Sequence, residues 1–271
     1  MSSDVPSTAP LVGVAGARVA PGGRLSRLVA TWWRGGLLPL VLLQQAFYEH
    51  VLLRRRGIRF RSREAGSVQG AYAAMSPREF DGINARQRWA NWRVIPRNLR
   101  GRRLEAPLAA IDLCCGSGHS SEVLAHCLPP GSTVLGLDAS PELVRVARAR
   151  ASTRTAEEPS SMRFAVQSVL EPFRWPRGRI VERREIGLVN SSGAVGCHFA
   201  PPETRHLARE IRRVLRPGGL ALIDSGPEGT SGADLVAIFS SLRFEVLGRA
   251  RSCRFDRYWQ YCFRTEADPT S

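Results

Sequence analysis

Lysine is absent from this 271-residue sequence; all 39 basic residues are arginine. A preference that complete reflects a GC-rich coding background more simply than selection for phosphate contacts. The formal net charge of +15 therefore does not by itself mark a nucleic-acid binder. Long apolar runs are missing too: Leu37 to Leu43 is far short of the ~20 residues that span a bilayer, and Gln44, Gln45, Glu49 and His50 interrupt the segment beyond it. The six cysteines, at 114, 115, 127, 197, 253 and 262, form no C-x-x-C pair and no Cys/His metal spacing, so no metal site is expected. Residues 1–23 lack the basic and apolar regions of a secretory signal, and reduced thiols in a cytoplasmic protein are the expectation. No internal repeat is visible.

The charge that is present is unevenly placed. Residues 1–105 hold 18 arginines against 6 acids, a surplus of +12, whereas residues 106–271 hold 21 against 18, a surplus of +3. An anionic partner is therefore to be sought in the N-terminal third. Residues 1–23, rich in Ala, Pro, Gly and Ser, read as a disordered tail. Residues 24–104 read as a helical lid, substrate or association region. Within it, Pro39 suits the first turn of a helix ending near Leu53, with Arg54–Arg56 complementing the helix dipole. Trp32, Trp33 and the flanking arginines fit a helix lying on an anionic membrane through residues 25–56. Charge confined to the helix ends favours packing on the body or on a twin subunit instead. A second helix starts at Ser76, where S-x-x-E with Pro77 and Glu79 spells a capping box, and is expected to end before Pro96.

From residue 105 to the end, strands near 108–113, 133–138, 162–167, 185–190, 219–224, 244–250 and 258–264 alternate with helices near 119–127, 140–151, 202–215 and 231–241. This pattern predicts an α/β fold with a doubly wound, mostly parallel seven-stranded sheet. The short connection "RSCRFD" predicts an antiparallel hairpin of the last two strands.

The informative stretch is "LAAIDLCCGSGHSSEVLAHCL", residues 108–128: a buried strand, a loop with Gly116 and Gly118, then a helix. Such a loop brings backbone close to a ligand and presents free N–H groups to an anion. Asp138, ending the second strand in "GLDAS" beside Ala139, is placed to accept hydrogen bonds from ribose hydroxyls. A dinucleotide would set Asp112 against two phosphates, which is electrostatically unfavourable. A zwitterionic amino-acid group suits the same loop, its ammonium facing Asp112 and its carboxylate facing the amides. S-adenosylmethionine carries both that group and an adenosine.

These motifs resemble those of the class I S-adenosylmethionine-dependent methyltransferases. "IDLCCGSG" is similar to the family's acidic glycine-rich loop, with Cys114 in place of its first glycine, and "VLRPGGLALID" is similar to its fifth strand. The resemblance covers residues 107–264, places a methyltransferase domain at 105–271, and implies a seven-stranded sheet with the last pair reversed. It implies cofactor contacts from Asp112, Cys114, Gly116, Gly118, His119, Asp138, Ala139 and Asn190. Gln167 or Ser168 stands where the family often has an acidic residue near the adenine amino group. His198 is the candidate general base, its ordinary pKa near ~6.5 suiting proton removal. Tyr72, Phe80, Trp89, Ser191 and Asp224 are the acceptor-side candidates. The function expected is methyl transfer to a small-molecule acceptor, at oxygen in secondary or lipid-like metabolism. An RNA methyltransferase using the Arg-rich N-terminus, and a scaffold that has lost catalysis, are the alternatives. Partners expected are a small-molecule acceptor, a homodimer or a membrane surface, with nucleic acid disfavoured.

Overall fold

A computed structural model describes residues 37–58, 70–104, 106–153 and 160–266. The tail 1–23 and the Trp32–Trp33 pair lie outside the described residues. Seven strands, β1 (Ala109–Leu113), β2 (Thr133–Asp138), β3 (Ser161–Val166), β4 (Ile186–Ser191), β5 (Leu215–Ser225), β6 (Phe244–Ala250) and β7 (Trp259–Thr265), form one sheet in the order β3-β2-β1-β4-β5-β7-β6. The first five pair in parallel. The hairpin is present, but β7 is inserted between β5 and β6 and is antiparallel to both, so β7 alone runs against the others.

Strand side chains alternate between two cores, as the period of two requires. Ile111, Leu113, Leu135 and Leu137 point into one core, filled by Leu207, Ile211 and Val214 of the helix Pro201–Val214 and by Leu235, Ile238 and Phe239 of the helix Gly232–Ser241. Ala110, Val134, Leu188 and Leu222 point into the other, against Val123 and Leu124 of the helix His119–Cys127. The strand order reverses between β1 and β4, and a ligand crevice is expected outside the carboxyl ends of the strands at such a point.

In chain order the helices are α1 (Leu38–Phe47, continuing as π-helical turns Tyr48–Leu53), α2 (Pro77–Ile83), α3 (Ala85–Leu99), α4 (His119–Cys127), α5 (Pro141–Ser152), α6 (Val195–His198), α7 (Pro201–Val214) and α8 (Gly232–Ser241). The capping box is formed: the Glu79 N–H donates to Ser76 Oγ at 3.3 Å and the Ser76 N–H to Glu79 Oε2 at 2.8 Å. Two expectations need correction. The chain breaks at Asn84, giving α2 and α3 instead of one helix, and α3 does not stop before Pro96 but continues to Leu99. A helix-interior proline costs about 3 kcal/mol. Here Ile95 and Leu99 are fully buried in the second core, each contributing roughly 1.5–3 kcal/mol. Asn98 adds hydrogen bonds from Nδ2 to the Gln260 carbonyl (3.1 Å) and to Gln260 Oε1 (3.0 Å). Packing outweighs the local preference. The N-terminal helices are thereby held against the sheet.

Candidate functional site

The loop after β1 turns on three residues of positive φ: Cys114 at 51°, Gly116 at 54° and Gly118 at 87°. Cys114 occupies a conformation that favours glycine, at a cost of roughly 1–2 kcal/mol. A Cβ on Gly116 would lie 2.7 Å from the ring of Phe80, so α2 closes directly onto the loop. One on Gly118 would lie 3.1 Å from the Ala147 Cβ, so α5 approaches from the other side.

Asp138 organises the loop from the end of β2. Its Oδ2 accepts the Gly116 N–H at 2.8 Å and its Oδ1 the Ser140 N–H at 2.9 Å. Burial raises its pKa, while those two hydrogen bonds oppose the rise. Each oxygen keeps acceptor capacity toward the crevice. There a cavity of about 510 Å³ is lined by the loop 114–117, Asp138–Pro141, Ser168–Leu170 and Ser192–Ala194, and roofed by Tyr72, Phe80 and one face of α3. That volume lies within the 300–1,000 Å³ range of small-molecule sites. An adenosyl amino acid fits the lining, which offers the buried acceptor carboxylate of Asp138 together with Ser117, His119, Ser120 and Arg88.

Residues 110–219 match the family model described as a methyltransferase domain. The match takes in β1 to β4, the loop after β1 and the start of β5. An uncharacterized methyltransferase of Synechocystis is 33% identical over 115 residues, 42% of this chain and 45% of that protein. A trans-aconitate 2-methyltransferase of Methylobacterium radiotolerans is 34% identical over 135 residues, 46% of this chain and 47% of that protein. The chain thus spans about half the length of the curated relatives it matches. Among solved structures, a methyltransferase from Methanosarcina mazei superposes with a TM-score of 0.49 at 16% identity, over 61% of this chain and 95% of that one.

Around the loop after β1, several of the residues singled out in the sequence come together. Tyr72, Phe80, Cys114, Gly116, His119, Asp138, Ala139, Ser168 and His198 all line the cavity. Asp112, Gly118, Gln167, Asn190, Trp89, Ser191 and Asp224 do not. Asp112, expected to face the donor's ammonium, is fully buried. Its Oδ2 accepts the hydroxyls of Ser120 (2.7 Å) and Ser121 (2.6 Å), and its Oδ1 the Asn190 amide (2.7 Å). Burial pushes its pKa up to about 6 against the pull of these donors. Asp112 therefore ties α4 to β1 and β4. The chain of contacts continues through Gln260 Nε2, which donates to Asn190 Oδ1 at 2.9 Å, and on to Asn98 of α3.

Gln167 is occupied in bracing the segment after β3, donating to the Pro172 carbonyl (2.8 Å) and accepting the Arg174 N–H (3.0 Å). Ser168 is the one of the pair that reaches the cavity. Trp89 packs with Val41, Ala85 and Ala90 beneath α1, and the Arg93 guanidinium stacks 3.6 Å from its ring centroid. Asp224 accepts the Ser191 hydroxyl (2.6 Å) and the Gly196 N–H (2.8 Å), pinning the start of α6. That short helix carries His198 into the cavity, where Nε2 lies 2.9 Å from the Tyr72 hydroxyl. Burial lowers the His198 pKa from 6.5, opposed by the charges of Asp224 and Glu228. Burial also drives Tyr72 well above its usual 10.0.

Sequence reading missed the polar face of the N-terminal helices. Asp81, Asn84, Arg88 and Asn91 line the cavity at helical spacing. Asp81 accepts the Ser117 hydroxyl at 2.5 Å and faces Arg150 at 3.2 Å and His119 at 3.4 Å. Burial would raise its pKa, but the His119 and Ser117 hydrogen bonds and the Arg150 charge hold it at about 2. Arg88 makes no hydrogen bond or ion pair among the described residues.

Proposed function

We propose that this protein binds S-adenosylmethionine in the cavity and transfers its methyl group to an oxygen of a small-molecule acceptor held against Tyr72 and His198. The observation that carries the reading is that one cavity is lined by both the Asp138-braced loop and the Tyr72–His198 pair. Once bound, the sulfonium donor supplies an already activated methyl group, so the protein's task is alignment and proton handling. Asp138, Ala139 and Ser168 hold the adenosine end. Gly116, Ser117 and Ser120 face the amino-acid end, with the Arg88 guanidinium, which has no partner among the described residues, available to a carboxylate. Asp112 acts as a positioning residue by fixing α4 through Ser120 and Ser121.

Burial disfavours the His198 cation, and a neutral imidazole keeps a lone pair on one ring nitrogen; in the tautomer that leaves it on Nε2, Tyr72 donates to it. An acceptor hydroxyl that displaces Tyr72 gives up its proton there. A carboxylate acceptor, of the kind named in the trans-aconitate relative, needs no base at all. The test is transfer from S-[methyl-¹⁴C]adenosylmethionine to a panel of hydroxyl and carboxylate acceptors. His198→Asn is expected to slow hydroxyl methylation about a hundredfold or more while leaving carboxylate methylation in place. Failure of the wild-type protein to label any acceptor, despite binding the donor, would contradict the reading. Partners in this reading are the acceptor itself and, through the N-terminal helices, a second copy or a membrane surface.

A further inference from the structure

Helix α1 has two faces of opposite fate. Val41 is buried against Ala85, Trp89 and Ala90 of α3, on a different face of that helix from the one lining the cavity. On the outer side, Leu37, Leu40, Leu43 and Phe47 succeed one another at helical spacing and are 47%, 61%, 68% and 49% exposed. Of the nine large hydrophobic residues exposed among the described residues, five fall between positions 37 and 47. Scattered exposed leucines are ordinary, whereas a ridge concentrated on one short helix marks a surface built to be covered.

The charge around the ridge says by what. Residues 24–63 contain nine arginines and a single acid, Glu49, and six of the ten residues in "RRRGIRFRSR", 54–63, are arginine. Arg54 and Arg55 are exposed at the end of the π-helical turns, directly after the ridge. No helix among the described residues is long and apolar enough to cross a membrane. An apolar ridge flanked by dense positive charge matches a bilayer surface rich in anionic headgroups, with leucine and phenylalanine entering the acyl boundary and arginines meeting the phosphates. A second copy is a poorer occupant, because it would cover the ridge and leave the flanking arginines without a counter-charge. Residues 1–36 carry four arginines against one acid, so they bring no counter-charge to that cluster. A nucleic acid would use the arginines but has no use for the leucine ridge.

We propose that α1 docks the protein on the surface of an anionic lipid bilayer through Leu40, Leu43 and Phe47, with Arg54 and Arg55 at the headgroups. This goes beyond methyl transfer and does not depend on it. The experiment is flotation of the full-length protein with vesicles of phosphatidylcholine alone and of phosphatidylcholine mixed with phosphatidylglycerol. Binding to the mixed vesicles only, weakened by salt, is expected. Arg54→Ser/Arg55→Ser should weaken it about thirtyfold, two arginines at about 1 kcal/mol each. Leu40→Ser/Leu43→Ser, at exposed positions that leave the thermal melt unchanged, should weaken it at least about tenfold. Equal binding to both vesicle types, or wild-type binding by the leucine variant, would overturn the proposal. So would a concentration-dependent dimer in light scattering that the leucine variant abolishes while vesicles are ignored, which would give the ridge to a second copy. Salt-sensitive RNA binding with no vesicle binding would likewise overturn it.

Discussion

Replacing Asp112 by asparagine removes a carboxylate that accepts three hydrogen bonds, and the structure predicts that the protein gains relative stability in alkali as a result. The carboxyl is fully buried and its pKa stands at about 6 against an ordinary 3.8. Because the folded state takes up this proton more readily than the unfolded chain, the contribution of Asp112 to stability is present at low pH and is lost as pH rises through about 6. At saturation the loss is about 3 kcal/mol, and between about pH 4 and about pH 8 it amounts to roughly 2 kcal/mol. Asparagine keeps the shape. Its Oδ1 still accepts from Asn190, and its Nδ2 can donate to both serine oxygens once their hydroxyls rotate. Urea unfolding of both proteins across this pH range isolates the site, since every other group is common to them. The asparagine variant should gain about 2 kcal/mol on the wild type from the acid to the alkaline end. A difference that stays flat with pH would refute the reasoning. Asp112→Ala is the contrast: it strands three buried donors and should cost about 3 kcal/mol or more at every pH.

Asp224→Ala leaves the Ser191 hydroxyl and the Val195 and Gly196 amides without their acceptor, so urea unfolding should register a loss of about 3 kcal/mol; a loss below about 1 kcal/mol would mean α6 is held by other contacts. Pro96→Ala restores an N–H within α3 and should raise stability by about 1–3 kcal/mol in calorimetry, whereas a helix ending before residue 96 would gain nothing. In an NMR titration of ring-labelled histidine, His198 should titrate below 6.5, because burial disfavours its cation; a midpoint above that value would contradict its neutral state.

Much of the fold was legible because its signals are local. The bounds of β2, β6 and α4 coincide with those read from the chain, since Gly118, Asp138 and the turn at 242–243 punctuate it where the elements end. What was not legible depends on distant partners. Pro96 stays helical only because Ile95 and Leu99 are buried under the sheet. Helix α6 is too short to nucleate alone and forms where Asp224, 28 residues beyond Gly196, receives its amides. β5 begins earlier than expected, at Leu215, because Leu215 pairs with Ile186 before a register shift absorbs Arg216–Gly219. The site divides in the same way. Gly116 and Asp138 could be placed from spacing within one β-loop-α unit. The network from Asn98 through Gln260 and Asn190 to Asp112 joins residues 162, 70 and 78 positions apart, and nothing local announces it. Asn84, Arg88 and Asn91 are not legible as cavity lining for another reason: polar residues at helical spacing suit a solvated helix face equally well.

The measurement closest to the central claim is titration calorimetry of the full-length protein with S-adenosylhomocysteine, with NADH as the competing adenosine ligand and Asp138→Asn as the site variant. Saturable binding of S-adenosylhomocysteine is expected, with no heat from NADH. Binding by the asparagine variant should be weakened about thirtyfold or more, since hydrogen bonds to a charged acceptor contribute about 1.5–3 kcal/mol each. Saturable NADH binding, absence of S-adenosylhomocysteine binding, or an Asp138→Asn variant that binds like the wild type would contradict it.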